Sequence, residues 1–203
     1  MVRGCVAEAI LAASPWADLW QPGHFGRTDG GPGVSVSEPR RCAAATLMAR
    51  KGKSGELLVA AAAFGVELPR RPAWAAGGDL TFIWTGPEQW MVRGLARFTD
   101  IEADLAGLAG SGVLVDQSHA RAVLTLAGGS ARDTLAKGFE VDLHPRAFKP
   151  GDAAVTVAAG ISAILWQIDD RPTYGIAVPR SMAGSFWHWF TASAAQYGYT
   201  VEP

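Results

Sequence analysis

The sequence predicts an α+β fold in which one β-α-β-β-α-β unit is used twice, and three observations carry that prediction. Strand and helix signals from residue 42 onward run through this order and start again near residue 119. Two segments in corresponding places share letters: Phe64-Gly-Val-Glu-Leu-Pro-Arg-Arg71 parallels Phe139-Glu-Val-Asp-Leu-His-Pro-Arg146. The first 41 residues are punctuated by Gly and Pro and join neither copy. The order is the ferredoxin-like one. Residues 42–203 are thus expected to form a single duplicated domain, with half-units at about 42–118 and 119–203 sharing one core.

Residues 1–41 read as an irregular arm, broken at Pro22, Gly23, Gly26, Gly30, Gly31, Pro32 and Gly33, with room for a short helix over 6–13. Such a segment cannot pack a core alone. It is expected either without fixed structure or laid along a partner chain. Trp16 and Trp20 fall inside it, and exposed tryptophans are natural interface anchors.

In the first unit, 43–49 alternates as a strand, with Thr46 and Met48 opposed to their neighbours. Ser54 is placed to cap a helix running to Phe64, closed by Gly65 and Pro69. A strand over 80–85, a Gly86-Pro87 turn and a strand over 90–93 form a hairpin. Thr99 and Glu102 have capping-box spacing for a helix to about Leu108, ended by Gly110, and 113–116 is the closing strand.

The second unit repeats these signals. A strand over 121–127 leads to a short helix capped by Ser130 and stopped by Gly138. Strands follow over 154–159, 161–168 and 174–178, then a helix over 181–197, Gly198 and a last strand over 199–201. Phe82-Ile83-Trp84 and Ile164-Leu165-Trp166 are a second matching pair, each in a strand before a turn. On the last helix, Met182, Phe186, Trp189, Phe190 and Tyr197 share a core-facing side, His188 points away, and Trp187 sits at the edge.

Composition excludes several functions. A net charge of −1 provides no field for nucleic acid or an anionic membrane. Arg40-Arg41 and Arg70-Arg71 read as solvated doublets. Cys5 and Cys42 make no disulfide framework. Glu8 interrupts the early apolar stretch, so no secretory leader is expected, and a cytoplasmic location fits. No window approaches a transmembrane span of about 20 apolar residues.

No motif reads as a reactive site. Gly52-Lys53-Ser54 lacks the earlier Gly of a phosphate-binding loop, because position 47 is Leu. Gly128-Gly129 lacks dinucleotide spacing and reads as a strand-to-helix turn. His24, His119, His144 and His188 share no ligand spacing. Asp116-Gln117-Ser118-His119 holds the residue types of a hydrolase triad, but adjacent in the chain. Hydrogen bonding within a turn is the expected role. Catalytic, cofactor-binding and metal residues are therefore expected to be absent from this chain.

The segment Val115-Asp116-Gln117-Ser118-His119-Ala120-Arg121, with Ala131 and Leu135 after it, resembles the Asp-x-Ser-His region of the glycine cleavage T-protein superfamily. That superfamily's fold includes paired ferredoxin-like units. A narrower set of motifs is similar to the sarcosine oxidase gamma subunit family: Lys137-Gly138, Asp142-Leu143-His144-Pro145-Arg146-Ala147-Phe148, the stretch from Phe82 to Trp90, and Arg180-Ser181 followed by Trp187 and Trp189. The resemblance covers roughly 42–200. It implies a non-catalytic subunit in a complex with alpha, beta and delta subunits. Such a complex demethylates sarcosine oxidatively to glycine and hydrogen peroxide and, with tetrahydrofolate, yields 5,10-methylenetetrahydrofolate. The resemblance places FAD, FMN, NAD and zinc in the partner subunits. It leaves His144, Arg146 and Trp187 as candidate structural or inter-subunit contacts. No acidic loop like that of the aminomethyltransferases follows the Asp-x-Ser-His strand, so no folate contact is carried over. A free-standing folate-binding aminomethyltransferase-like protein is the alternative.

Overall fold

The computed structural model describes residues 14–39, 43–94 and 100–203. Two short strands come first, β1 (Gly23–Phe25) and β2 (Val34–Ser37). The first unit follows: β3 (Ala43–Ala49), α1 (Ser54–Ala62), β4 (Trp74–Gly77), β5 (Leu80–Gly86), β6 (Gln89–Gly94), α2 (Ile101–Asp104) and β7 (Gly112–Asp116). The second comprises β8 (Arg121–Ala127), α3 (Ala131–Leu135), β9 (Ala153–Ala158), β10 (Ile161–Asp169), β11 (Thr173–Pro179), α4 (Ala183–Ala194) and β12 (Tyr199–Val201). The expected α+β class is observed. No helix among the described residues is long and apolar enough to cross a membrane.

Two sheets result, one ordered β4-β5-β6-β3-β7 and the other β1-β12-β2-β8-β11-β10-β9. In both, the strand before the first helix is interior; β7 lies at an edge beside β3, whereas β12 is separated from β8 by β2. Leu57, Ala61, Ile101 and Leu105 cover one face of the smaller sheet, packing on Leu47, Phe82 and Val92. Ala131, Leu135, Phe186 and Phe190 cover the larger sheet, against Leu124, Leu165 and Ile176. The opposite faces of the two sheets meet through Ile83 and Met91 on one side and Val123, Ile164, Trp166 and Ala177 on the other. The interior strands β8, β10 and β11 therefore bury both faces over most of their length, which is why 121–127 and 161–168 read as nearly continuous apolar runs.

The reading of 1–41 as an irregular arm is corrected over its described part. β2 is inserted between β8 and β12, and β1 closes the sheet beside β12. Trp16 is fully buried, its Nε1–H donating to the Val123 carbonyl at 3.0 Å. Trp20 Nε1–H donates to the Glu202 carbonyl at 2.8 Å. Both rings are thus spent within the chain. Gly and Pro signalled breaks correctly, but strands of three and four residues supply too few positions for alternation to show.

The second letter match is also out of register. In the first unit Trp84 pairs with Trp90 next to a bulge before Gly86, and in the second Gln167 pairs with Tyr174 next to a bulge before Asp169. Hairpin geometry therefore equates Trp84 with Gln167 and Phe82 with Leu165, one position from the letter alignment. Burial agrees: Phe82 and Leu165 face the helices, and Ile83 and Trp166 lie between the sheets. A slip of one residue in a strand exchanges its two faces.

Helix starts depart from expectation in small ways. Thr99 lies outside the described residues, as do Cys5, Arg40, Arg41 and Cys42. Asp100 caps α2 by accepting from the Ala103 amide at 3.0 Å. Ser54 is the first helical residue, and its hydroxyl donates to the Glu88 carboxylate instead of capping backbone. Ser130 holds the cap position of α3 without a side-chain cap bond. Strand β4 was not signalled, since Trp74-Ala-Ala-Gly77 lacks alternation and is held by pairing with β5. Met182 is 36% exposed because a tight turn over Arg180–Met182 takes it out of the α4 register.

Candidate functional site

The Asp116–Ser118 segment is the hinge between the two sheets, joining β7 to β8. Asp116 Oδ1 accepts from the Ser118 amide at 2.7 Å and from its hydroxyl at 2.6 Å. Ser118 Oγ in turn accepts from the Ala44 amide at 3.0 Å. The Gln117 amide donates to the Ala44 carbonyl at 2.7 Å. The side chains thus prolong β3–β7 pairing beyond the strand end. His119 is exposed and makes no bond to Ser118 that would activate it as a nucleophile. The turn role expected from the adjacency of these residues is the one the geometry supports.

Ser118→Ala is expected to lower stability by about 1–2 kcal/mol, by stranding the buried Ala44 amide. Urea unfolding of the variant checks it. The hydroxyl of Ser118 holds the Asp116 carboxyl below its ordinary value, outweighing the upward push of partial burial; the Ser118 amide and His119 add to the depression. A carboxylate depressed in the folded state contributes stability above its unfolded pKa of about 3.9 and loses it as pH falls through the folded value. Between about pH 5 and pH 3, Asp116→Asn should therefore lose less stability than the parent chain, as read by paired urea midpoints.

The loop carrying His144 and Arg146 connects α3 to β9. Leu143 and Phe148 anchor it in the core at 4% exposure each. Between them the chain folds on itself. The His144 amide donates to Asp142 Oδ1 at 2.9 Å, the Arg146 amide donates to His144 Nδ1 at 3.2 Å, and the Phe148 amide donates to the His144 carbonyl at 2.9 Å. His144 is thus occupied as a turn acceptor. The Arg146 side chain is exposed.

Lys137-Gly138 has a packing reason. Lys137 Nζ reaches the Ser193 carbonyl and lies 4.5 Å from the Tyr197 ring centroid. A Cβ on Gly138 would fall 2.6 Å from Trp189, so glycine here lets α3 approach α4.

Trp187 stands apart from that loop. It is half-buried on α4, with ring centroids 5.9 Å from Trp16, 5.3 Å from Trp20 and 5.6 Å from Phe190. Its edge position on the helix was legible in the sequence. Its neighbours were not, because they come from the segment read as an arm. Two shallow concavities of about 300 and 290 Å³ border this region and share Phe25 and Tyr199. Their rims carry His24, Arg27, Asp18 and Gln21, with His24 Nδ1 bonded to Thr200 Oγ1 at 2.8 Å.

Comparison with known proteins gives these features a context. A family model described as the sarcosine oxidase, gamma subunit family matches residues 52–196. The chain is 30% identical over 149 residues to the sarcosine oxidase subunit gamma of Corynebacterium sp. (strain P-1), covering 71% of this chain and 72% of that one. Among solved structures, it is similar to a chain of the heterotetrameric sarcosine oxidase from Corynebacterium sp. U-96 in complex with pyrrole 2-carboxylate. That match has a TM-score of 0.75 and 25% identity, over 92% of this chain and 96% of the other. The glycine cleavage system aminomethyltransferase T from Bartonella henselae shares the fold at a TM-score of 0.53 and 14% identity, over 80% of this chain and 49% of that one. The matched region spans both units and the His144–Arg146 loop, and the chain belongs to the sarcosine oxidase gamma subunit family.

Proposed function

We propose that this chain is a non-catalytic structural subunit of a heterotetrameric sarcosine oxidase, acting with alpha, beta and delta subunits that hold FAD, FMN, NAD and zinc. The complex would convert sarcosine to glycine with hydrogen peroxide and pass the methyl carbon to tetrahydrofolate as 5,10-methylenetetrahydrofolate. The observation that carries this reading is the near full-length similarity to one chain of a heterotetrameric sarcosine oxidase. The geometry is compatible with it. The side chains of Asp116, Ser118 and His144 are engaged in hydrogen bonds that hold their own turns and the neighbouring β3 strand.

The reading is tested by co-expressing the chain with its neighbouring flavoprotein subunits and purifying through a tag on this chain. Recovery of a four-subunit complex with sarcosine-dependent peroxide formation is expected. Recovery of this chain alone would overturn the proposal. The fold shared with an aminomethyltransferase motivates a second reading, a free-standing folate-binding protein. Calorimetric titration of the isolated chain with tetrahydrofolate separates the two: no heat is expected, and stoichiometric binding would favour the second.

Arg146 and His144 are proposed to serve local structure or an inter-subunit contact. A guanidinium offers a rigid fork of donors suited to a carboxylate or to carbonyls of a neighbouring chain. Arg146→Ala should lower the yield of assembled complex several-fold while turnover per intact complex stays unchanged. A fall in that turnover with normal flavin content would overturn the assignment.

A further inference from the structure

We infer that the free edge of β7 takes up an extended strand from a partner subunit. The inference rests on the proposed membership of a multi-subunit complex and specifies where one contact lies.

Register fixes which amides are available. The Gln117 amide bonds the Ala44 carbonyl, and the Arg50 amide bonds the Ser111 carbonyl. Those two bonds bracket the β3–β7 ladder, so Val113 and Val115 also direct their backbone toward β3. Gly112, Leu114 and Asp116 then direct theirs outward. The outward Asp116 amide is taken by Glu102 Oε1 at 2.8 Å. Among the described residues, the Leu114 amide and carbonyl have no partner.

The duplication shows what such an edge accepts. Beside β8 the place that β7 takes beside β3 is held by β2, also antiparallel, and β2 carries β12 on its outer side. Among the described residues, no strand lies in that position beside β7. The remaining edges are managed within the chain. β1 has three residues. β4 and β9 meet each other, the Trp74 amide donating to the Gly151 carbonyl and the Ala153 amide to the Pro72 carbonyl. At the other end of β9, the Val157 carbonyl accepts from the Glu140 amide.

The composition of β7 points the same way. Edge strands that face water usually carry lysine, proline or a bulge to deter pairing. Gly112-Val-Leu-Val-Asp116 has an unbroken apolar run, a regular register and a Val115 side chain that is 40% exposed. An edge of this kind suits main-chain pairing with an added strand. The partner strand is recognised by backbone and by an apolar residue opposite Val115.

The test uses hydrogen–deuterium exchange resolved at single amides, on the full chain alone and in the co-purified complex. The Val113 and Val115 amides, bonded to β3, should exchange slowly in both samples. The Leu114 amide should exchange fast in the isolated chain and at least about tenfold more slowly in the complex. Val115→Lys should reduce recovery of the complex about tenfold or more while leaving the urea midpoint of the chain unchanged. An assembled complex in which Leu114 still exchanges fast overturns this inference and leaves the proposed function standing. Failure to recover any complex overturns both. Concentration-dependent protection of Leu114 in the chain alone would assign the edge to a second copy of this chain and also overturn it.

Discussion

Replacing Gly175 by alanine is expected to destabilise the protein by about 3 kcal/mol, at the upper end of what overpacking costs. Gly175 lies on β11 opposite Trp166 of β10. A Cβ there would fall 2.0 Å from Trp166 Cε2 and 2.1 Å from Cζ2. The indole cannot swing away, since it is 1% exposed and enclosed by the second sheet, with the Arg93 guanidinium 5.2 Å from its ring centroid. The clash must therefore open the contact between the sheets or bend β11. Trp166→Ala should itself cost about 3–5 kcal/mol by leaving a cavity. In that background Gly175→Ala should cost almost nothing, because the atoms it met are gone. Urea midpoints of the four proteins measure the coupling. Additive costs would show that Trp166 and Gly175 do not compete for the same volume.

Trp16→Ala is expected to lower stability by about 3–5 kcal/mol and to release the segment preceding β1. The ring is fully buried, tilted against Phe186 at 6.4 Å and Trp187 at 5.9 Å between centroids. Its loss leaves a void under α4 and strips the Val123 carbonyl of a donor. Limited proteolysis gives the second readout. In the parent chain, even alone, residues 14–39 should resist cleavage as the core does. In the variant they should be cut first. Equal, rapid cleavage in both would show that the segment is bound only by partners, as an irregular arm would be. Trp16→Phe keeps most of the ring and removes the Nε1–H, so it should cost about 1–3 kcal/mol.

The elements that were legible are those specified by near neighbours. β3, β5, β6, β8, β10 and β11 are long enough for strand signals to accumulate. Gly65, Gly86-Pro87, Gly138 and Gly198 end elements through backbone chemistry that needs no tertiary partner. The turn role of Asp116 and Ser118 was readable for the same reason, since an Asx side chain bonds amides two residues on. Trp187 could be placed at the edge of the α4 stripe from helical spacing alone.

Tertiary structure decided the rest. β1 and β2 are too short to declare themselves, and what makes β2 a strand is the gap between β8 and β12, partners some 90 and 160 residues away in the chain. The letters of Phe82–Trp84 and Ile164–Trp166 suggested one register, and the bulges in β5 and β10 imposed another. Gly175 looked like any strand glycine until Trp166 was set across from it. The sequence by itself determined the α+β class and the positions of most long strands, while each unit carries three strands between its helices where the β-α-β-β-α-β order has two. The role of residues 14–39, the facing of the two sheets and the place of β7 at the end of its sheet among the described residues depend on pairings between residues far apart in the chain. Local propensity is silent on those pairings, because their free energy arises only when both partners are already in place.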